Sequence, residues 1–301
     1  MKFRIISFSL LALMLAFLAP NANADTVLGP VLSTFAVLGG TPVVSFASGT
    51  DTITGNVGVF PAASITGTFT LNGGTQHAGD ATAGTAQAAL TNALTILGGL
   101  ASIGASQSNL NNVSLGPGVY NIGTADLTGI LTLTNTSNVT NPTWVFIGSA
   151  LTSSGTVQFA PGVNATNAGV YWDIGSSATL SGVMLGNVLA STSITTTGVT
   201  DTCGRLLAST GDVTFAGTST ISSTCSASTS GSTNGLSGGL TVTPGGGGTV
   251  VVSGGGVPPT SVTGTGNGGN TSVPEPATFA LLLAGLLPLG LLKFRKLHAA
   301  N

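Results

Sequence analysis

The residues that could perform acid–base or metal chemistry are few in this sequence and lie far apart. Charged residues make up 5% of the 301 positions, and Arg205 is the only basic residue between positions 25 and 272. The same interval has one histidine, His77, and aspartates at positions 25, 51, 80, 126, 173, 201 and 212. General acid–base catalysis needs a positioned pair of such groups, often with a histidine. This inventory predicts a protein that is not an enzyme and holds no metal or cofactor.

Some pairings of these charged groups stay open as alternatives. Asp126, Asp173, Asp201 and Asp212 occur singly, near expected turns, where aspartate commonly caps the backbone. Stacked turns could bring two carboxylates together as an acid–base pair, or form a Ca²⁺ site with Asn and backbone oxygens. Arg205 is expected to form a local ion pair with Asp201 or Asp212. Seven aspartates against one arginine give this region a net charge of −6, which excludes nucleic acid as a partner.

The first 24 residues have the organisation of a signal peptide. Lys2 and Arg4 precede an apolar run over residues 5–18, and Ala22-Asn23-Ala24 is a small-x-small cleavage site. The apolar run is short for a membrane span, so we expect cleavage before Asp25. An uncleaved anchor helix is the alternative.

The last 29 residues, 273–301, contain a second apolar segment between two motifs. Pro274-Glu275-Pro276 precedes the apolar residues 277–292, and the basic residues Lys293, Arg295 and Lys296 follow them. Basic residues directly after a span hold that end in the cytoplasm. This tail resembles the PEP-CTERM sorting signal of Gram-negative bacteria, which implies processing by an exosortase-type membrane protease. A plain tail anchor is the alternative. Both ends thus predict an exported protein at the cell surface or outside the cell, anchored transiently or permanently by its C-terminal segment.

The two cysteines fit an exported chain. Cys203 and Cys225 flank one strand-rich segment, and an oxidising compartment favours a single disulfide between them. A disulfide that closes a loop of roughly 20 residues stabilises the folded state by about 3 kcal/mol in the chain-entropy model. Two free thiols are the alternative. A metal site is disfavoured because only His77 could assist, and it lies far away in sequence.

The secondary-structure elements that position the charged residues and the cysteines are mostly strands, and their sequences follow a recurring pattern. Five stretches, near Thr124, Ser149, Ser176, Ser191 and Ser209, share an aliphatic residue, a tiny residue, a hydroxyl residue, and then an aliphatic residue beside Thr. A unit that recurs in this way stacks on its copies, because one copy cannot bury its own apolar face. The uneven spacing of the copies predicts an irregular solenoid with inserted loops.

One helix interrupts the strands. Residues 80–97 are rich in Ala, with Ala86, Leu90, Ala93, Leu94 and Leu97 at helical spacing. Asp80 suits the N-cap and Gly98-Gly99 suits the end of the helix. Because strand-like segments occur before the helix as well as after it, the sequence predicts a discontinuous solenoid over residues 25–227.

Residues 228–272 are dominated by Gly, Ser and Thr, and they predict a flexible or semi-extended spacer before the sorting tail at 273–301. A strand at residues 241–243 and 249–252 is the alternative. Trp144 and Trp172 lie in apolar strand runs, so we expect core positions for them rather than a sugar-binding platform.

Seven segments of the predicted solenoid resemble the bacterial and fungal ice-binding proteins. They occur in that family's order and are Phe35-Ala-Val-Leu38, Ile53-Thr-Gly-Asn-Val-Gly58, Gly116-Pro-Gly-Val-Tyr120, Trp144-Val-Phe-Ile147, Val170-Tyr-Trp-Asp-Ile174, Gly186-Asn-Val-Leu-Ala-Ser-Thr-Ser-Ile194 and Gly204-Arg-Leu-Leu-Ala-Ser-Thr-Gly-Asp-Val-Thr214. The resemblance implies a mainly β fold, a discontinuous right-handed β-solenoid with one long α-helix packed alongside. It also implies ice binding in the cold-adapted members and a secreted or cell-surface location.

Ice presents a lattice of water oxygens without charge, so a protein that binds it needs a flat, rigid face of small groups. Alternate side chains of a strand point outward at regular spacing. The candidates for an ice-binding face are Thr128, Thr132, Thr134, Thr152, Thr156, Thr179, Thr195, Thr197, Thr214, Thr218 and Thr220. The function predicted is antifreeze, recrystallisation-inhibiting or ice-adhesion activity, with the ice surface as partner. The alternative is a structural or adhesive protein of the cell surface or of an extracellular polysaccharide matrix.

Overall fold

The computed structural model describes residues 26–103, 105–225, 231–245 and 249–264. Two helices and twenty strands follow one another in this part of the chain. They are α1 (Gly29–Leu32), β1 (Phe35–Gly39), β2 (Val44–Thr54), β3 (Asn56–Val59), β4 (Ile65–Asn72), β5 (Gln76–Ala78), α2 (Ala81–Gly98), β6 (Val113–Leu115), β7 (Gly118–Leu127), β8 (Ile130–Leu133), β9 (Thr143–Ser153), β10 (Thr156–Phe159), β11 (Gly169–Ile174), β12 (Ala178–Val183), β13 (Gly186–Ala190), β14 (Ile194–Asp201), β15 (Gly204–Ala208), β16 (Val213–Gly217), β17 (Thr220–Ser222), β18 (Leu240–Pro244), β19 (Thr249–Gly254) and β20 (Val257–Thr263).

Strands β1 to β17 pair in parallel and form a β-solenoid with three faces. The helix-covered face consists of β5, β3, β1, β15, β13, β11, β9 and β7 in spatial order. The hydroxyl face consists of β4, β2, β16, β14, β12, β9 and β7. The mixed face consists of β4, β2, β17, β14, β12, β10, β8 and β6. The longer strands turn a corner and contribute to two faces.

The solenoid is discontinuous in sequence. The first coils, β1 to β5, form one end of the stack, and the chain then leaves through α2 and returns as β6 to β17. The last coil meets the first at a seam, where β1 and β2 pair with β15, β16 and β17. At this seam Ser45 pairs with Thr214, which is 169 residues further along the chain. The mainly β, solenoid-type fold predicted from the sequence is confirmed.

The corners between faces require glycine where the backbone turns sharply. Gly182 lies between the hydroxyl and mixed faces with a φ of +73°, in the left-handed region. A Cβ at this position would lie 2.3 Å from the carbonyl oxygen of Gly155 in the neighbouring coil. Only glycine permits both this φ and this close approach of two coils.

Aromatic and aliphatic side chains fill the interior. Trp144 and Trp172 are fully buried, so their predicted core positions are confirmed. The Phe146 and Trp172 rings stack with their centroids 4.2 Å apart. Across the seam, the Phe46 and Phe215 rings stack at 4.5 Å. Ring stacking of this kind adds to the energy of burial, and here it joins the two parts of the coil.

Helix α2 packs along the helix-covered face. The Asp80 carboxylate accepts a hydrogen bond from the backbone N–H of Ala83 at 2.8 Å, so Asp80 caps the helix as the sequence predicts. Ala86, Leu90 and Ala93 are buried in one cluster with the outward leucines of the strands beneath, and small alanines allow that close approach. The Gln87 amide donates to the carbonyl oxygens of Gly39 and Ala208, which lie in β1 and β15 on opposite sides of the seam.

The region predicted as a spacer is folded over much of its length. Strands β18, β19 and β20 form a three-stranded antiparallel sheet. Val242, Val250, Val252, Val257 and Val262 are buried in the same cluster as the apolar side of α2 and the leucines below it. The expectation of a spacer over residues 228–272 is therefore wrong for the 240–263 sheet. The sheet forms because its valines alternate with small polar residues, the period-two pattern of a strand, within a composition rich in Gly, Ser and Thr. The segments 241–243 and 249–252, given above as the alternative, lie in β18 and β19.

The signal peptide and the sorting tail lie outside the described residues, and they stay predictions. Among the helices that the structure describes, none combines the length and apolarity needed to cross a bilayer.

Candidate functional site

The eleven threonines proposed from the sequence do not share one face. On the hydroxyl face or its edge lie Thr128, Thr152, Thr179, Thr195, Thr197 and Thr214. Thr132, Thr156 and Thr220 lie on the mixed face. Thr218 lies at the corner between these two faces, where its hydroxyl is 2.6 Å from that of Thr50. Thr134 follows β8 and begins a loop. The six on the hydroxyl face are therefore the ones that can act together.

Four of these threonines belong to one straight row across the hydroxyl face. The strand register places Thr152 beside Thr179, Thr179 beside Thr195, and Thr195 beside Thr214. The row continues at both ends through residues that are not among the eleven candidates. Its complete order is Asp126, Thr152, Thr179, Thr195, Thr214, Ser45 and Thr66. With strands about 4.8 Å apart, these seven positions span about 29 Å.

The positions on either side of the row carry small side chains. One flanking set precedes the row by two residues and the other follows it by two. The first set is Thr124, Ala150, Ser177, Ser193, Asp212, Val43 and Ser64, and the second is Thr128, Ser154, Ser181, Thr197, Ala216, Ala47 and Thr68. None of these side chains is larger than valine, threonine or aspartate. The hydroxyl face is therefore low in relief across seven strands.

A packed layer beneath the row holds it in place. Leu151, Ala178, Ile194 and Val213 alternate with the row threonines and are buried beneath the hydroxyl face. Hydrogen bonds also orient several surface hydroxyls. Ser45 Oγ donates to Thr214 Oγ1 at 3.3 Å, and Thr214 Oγ1 donates to Asp212 Oδ2 at 3.0 Å. The Ser177 and Ser193 hydroxyls lie 3.0 Å apart. The row is thus supported from below by packing and across its surface by hydrogen bonds.

The mixed face is less regular. Its corresponding row begins with threonines, at positions 70, 52, 220 and 200, and then meets Val183. Val183 is 42% exposed and Ile130, two strands further on, is 45% exposed. Gln158 also projects from this face and is exposed. These longer side chains interrupt the row of threonines and project above the neighbouring side chains.

The titratable groups include one close pair, His77 Nδ1 and Asp80 Oδ2, which lie 2.8 Å apart at the start of α2. Burial raises the pKa of Asp173 and of Asp201 to about 7 in each case. The Asp201 carboxylate is fully buried and accepts a hydrogen bond from the backbone N–H of Cys203 at 3.2 Å. Asp126 lies exposed at one end of the threonine row. Within the described residues, no three His, Cys, Asp or Glu side chains come together as a group that could hold a metal ion.

Arg205 does not form the local ion pair expected from the sequence. Its guanidinium is buried and donates to the carbonyl oxygens of Ser33, Ser223, Asn234 and Gly235, and to Asn187 Oδ1, at 2.6–3.3 Å. Burial lowers the pKa of Arg205 to about 10, so the group stays protonated at neutral pH. The physical reason is geometric, because five oxygens from four segments converge where the seam closes.

A disulfide also lies near the seam. Cys203 and Cys225 are bonded, with their Cα atoms 4.2 Å apart and a sequence separation of 22. This confirms the predicted pairing, and within the described residues there are no free cysteines. The bond ties the start of β15 to the segment that follows β17.

The fold and this surface define a class of protein: a parallel β-solenoid with a helix along one face and an in-register row of hydroxyl residues on another. The sequence model of the family described as "Ice-binding-like" matches residues 37–222. The chain therefore belongs to the ice-binding-like family.

Relatives with known sequences or structures carry the same description. An "Ice-binding protein" of Nostoc sp. (strain HG1) is 41% identical over 204 residues, which are 64% of this chain and 73% of that protein. The crystal structure of an ice-binding protein from an Antarctic biological consortium matches with a TM-score of 0.58 and 30% identity, over 66% of this chain and 91% of that one. The ice-binding protein of the Antarctic ascomycete Antarctomyces psychrotrophicus matches with a TM-score of 0.57 and 28% identity, over 68% of this chain and 100% of that one.

Proposed function

We propose that this protein binds ice through its hydroxyl face. The observation that carries the proposal is the in-register row of Thr152, Thr179, Thr195 and Thr214, extended by Ser45 and Thr66. Family membership and the relatives named ice-binding proteins support it.

The chemistry of the face suits a lattice of water. Ice carries no net charge, so a charged cleft gains nothing from it, whereas hydroxyls both donate and accept hydrogen bonds. The methyl groups of threonine fill the spaces between lattice positions and favour ordered water over bulk water. Because β-branched side chains have few χ1 rotamers, the row loses little conformational entropy when ice binds.

One bulky substitution at the centre of the row tests the proposal. Thr179 is exposed and lies between Thr152 and Thr195, so Thr179→Tyr raises a ring above an otherwise level surface. We expect this variant to lose most thermal hysteresis and ice-recrystallisation inhibition. Tyrosine is a favoured strand residue, so the free energy of unfolding should change by no more than about 0.5 kcal/mol.

The matched control is Thr156→Tyr, which makes the same change on the mixed face. It should keep the full ice activity. Equal activity in the Thr179→Tyr variant and the parent, with both folded, would exclude the hydroxyl face as the binding surface. Equal loss in both variants would show that ice contacts the mixed face too. An absence of ice activity in the parent at high concentration would leave the adhesive or structural role in a polysaccharide matrix as the function.

The proposal includes a setting outside the cytoplasm and a non-enzymatic action. We also propose that the solenoid coils in the right-handed sense. The signal peptide, the Pro274-Glu275-Pro276 motif and the basic end support export, exosortase-type processing and transient or permanent attachment by residues 273–301. Mass spectrometry of the protein from envelope and medium fractions tests this part. A mature N-terminus at Asp25 and a C-terminus near position 274 are expected, and an intact tail in all fractions would favour a plain anchor.

A further inference from the structure

A cavity of about 680 Å³ lies away from the hydroxyl face, between two loops. One loop joins β8 to β9 and the other joins β10 to β11, so both leave the mixed face and enter the helix-covered face. Pockets for small ligands commonly measure roughly 300–1,000 Å³. The volume would therefore admit a molecule of one or two sugar rings.

Neutral polar groups dominate the lining, with a smaller apolar part. Among the residues that the structure describes, no charged side chain lines the cavity, and asparagines and threonines supply its polar groups. The side chains of Asn138, Asn141 and Asn167 are exposed and make no hydrogen bond to the described part of the protein. Val139 and the buried Val163 contribute an apolar part. Amides and hydroxyls both donate and accept, which matches a ligand with many neutral hydroxyls and exposed C–H faces.

Hydrogen bonds within each loop fix part of the lining before any ligand arrives. In the first loop, Asn135 Nδ2 donates to the Val139 carbonyl at 3.0 Å, and Val139 N donates to Asn135 Oδ1 at 2.9 Å. In the second loop, Thr166 N and Oγ1 donate to Asn164 Oδ1 at 3.0 and 2.7 Å. A preorganised site spends less ordering entropy on binding than a mobile loop does.

From this cavity we propose that the protein binds a neutral carbohydrate, as a free mono- or disaccharide or as one unit of a neutral polysaccharide. The uncharged lining disfavours phosphorylated or carboxylated ligands, for which an Arg or Lys partner would be expected. The site is distinct from the hydroxyl face, and ice binding does not depend on it. Its effect would be to hold the ice-binding surface within a glycan layer.

The test uses the full-length protein and a defined panel of probes. Glucose, galactose, mannose, N-acetylglucosamine and their β-linked disaccharides are titrated by saturation-transfer NMR, with glucuronate and glucose 6-phosphate as anionic comparisons. We expect saturable binding of at least one neutral sugar with a dissociation constant of roughly 0.1–10 mM, typical of a site with few hydrogen bonds. The double variant Thr136→Val/Asn167→Ala removes a hydroxyl and an amide from the lining, and it should weaken binding by roughly tenfold or more.

Thr200→Val, an exposed change on the mixed face, is the control and should leave sugar binding unchanged. Thr179→Tyr should also leave it unchanged while ice activity is lost, and the double variant should keep the ice activity. Absence of saturable sugar binding, equal binding by the folded double variant, or binding of the anionic sugars alone would each overturn the proposal. None of these results would bear on the hydroxyl face.

Discussion

Replacing Arg205 by methionine should destabilise the protein more than any surface change. The guanidinium links four segments: α1 with its following turn through Ser33, β13 through Asn187, the end of the coil through Ser223, and the loop before β18 through Asn234 and Gly235. Methionine keeps much of the side-chain length and the apolar contacts of the stem. The substitution therefore removes the hydrogen bonds and the charge with little change in volume.

The magnitude follows from the oxygens left behind. Five acceptors lose their donor, three of them in buried and two in part-buried hydrogen bonds, at about 1 kcal/mol each. Methionine carries no charge, so the desolvation cost of burying the guanidinium is also removed, and this offsets part of the lost stability. We therefore expect the free energy of unfolding to fall by about 3–4 kcal/mol. Arg205→Lys should lose less, because one ammonium reaches some of these oxygens but not all five.

The assay is urea unfolding followed by far- and near-ultraviolet circular dichroism, with the slope of the transition compared between variants. A common slope shows that the same surface is exposed on unfolding, so a lower midpoint means lower stability. Thr200→Val serves as the matched surface control and should shift the free energy by less than about 0.5 kcal/mol. A loss below about 1 kcal/mol in Arg205→Met would refute the assignment of Arg205 as the link that closes the seam.

Two further predictions concern the same region and the buried acids. Reduction of the disulfide, or the double change Cys203→Ser/Cys225→Ser, should lower the free energy of unfolding by about 3 kcal/mol, measured by urea unfolding with and without reductant; an unchanged midpoint would argue against a stabilising link. Burial raises the pKa of Asp173 and Asp201 to about 7 from an ordinary value of 3.8, so the folded state binds more protons between these values. The contribution of these two groups to the free energy of unfolding should therefore be greatest below about pH 4. It should fall as the pH rises towards 7, by at most about 1.4 kcal/mol per pH unit for each acid. Asp201→Asn should reduce that slope in a pH series of unfolding curves, and a parent protein without the slope would contradict the prediction.

Much of the fold was readable from local patterns. Helix α2 is predicted by a capping aspartate and by apolar residues at helical spacing, both of which are local features of the sequence. The core positions of Trp144 and Trp172 are predicted by the apolar strand runs in which they lie. For the β18–β20 sheet the Gly-rich composition favours a spacer, and the alternating valines support strands only as the alternative, because composition does not show whether they find a surface to pack against. The sequence predicts an aspartate partner for Arg205, which is wrong because its partners are mostly backbone carbonyls, and no sequence pattern marks these.

For the hydroxyl face, the sequence alone determined which kinds of side chain are available. They are small polar residues that alternate with buried aliphatic ones, with almost no charge. Which threonines meet was decided by the tertiary structure. Register across parallel strands depends on the lengths of the connecting loops and on the seam, where Ser45 joins Thr214 across 169 residues. A shift of one residue in any coil would turn its threonine inward, because successive side chains of a strand point to opposite faces. The alternation therefore comes from the chain, whereas the straight row exists only after the coils have stacked.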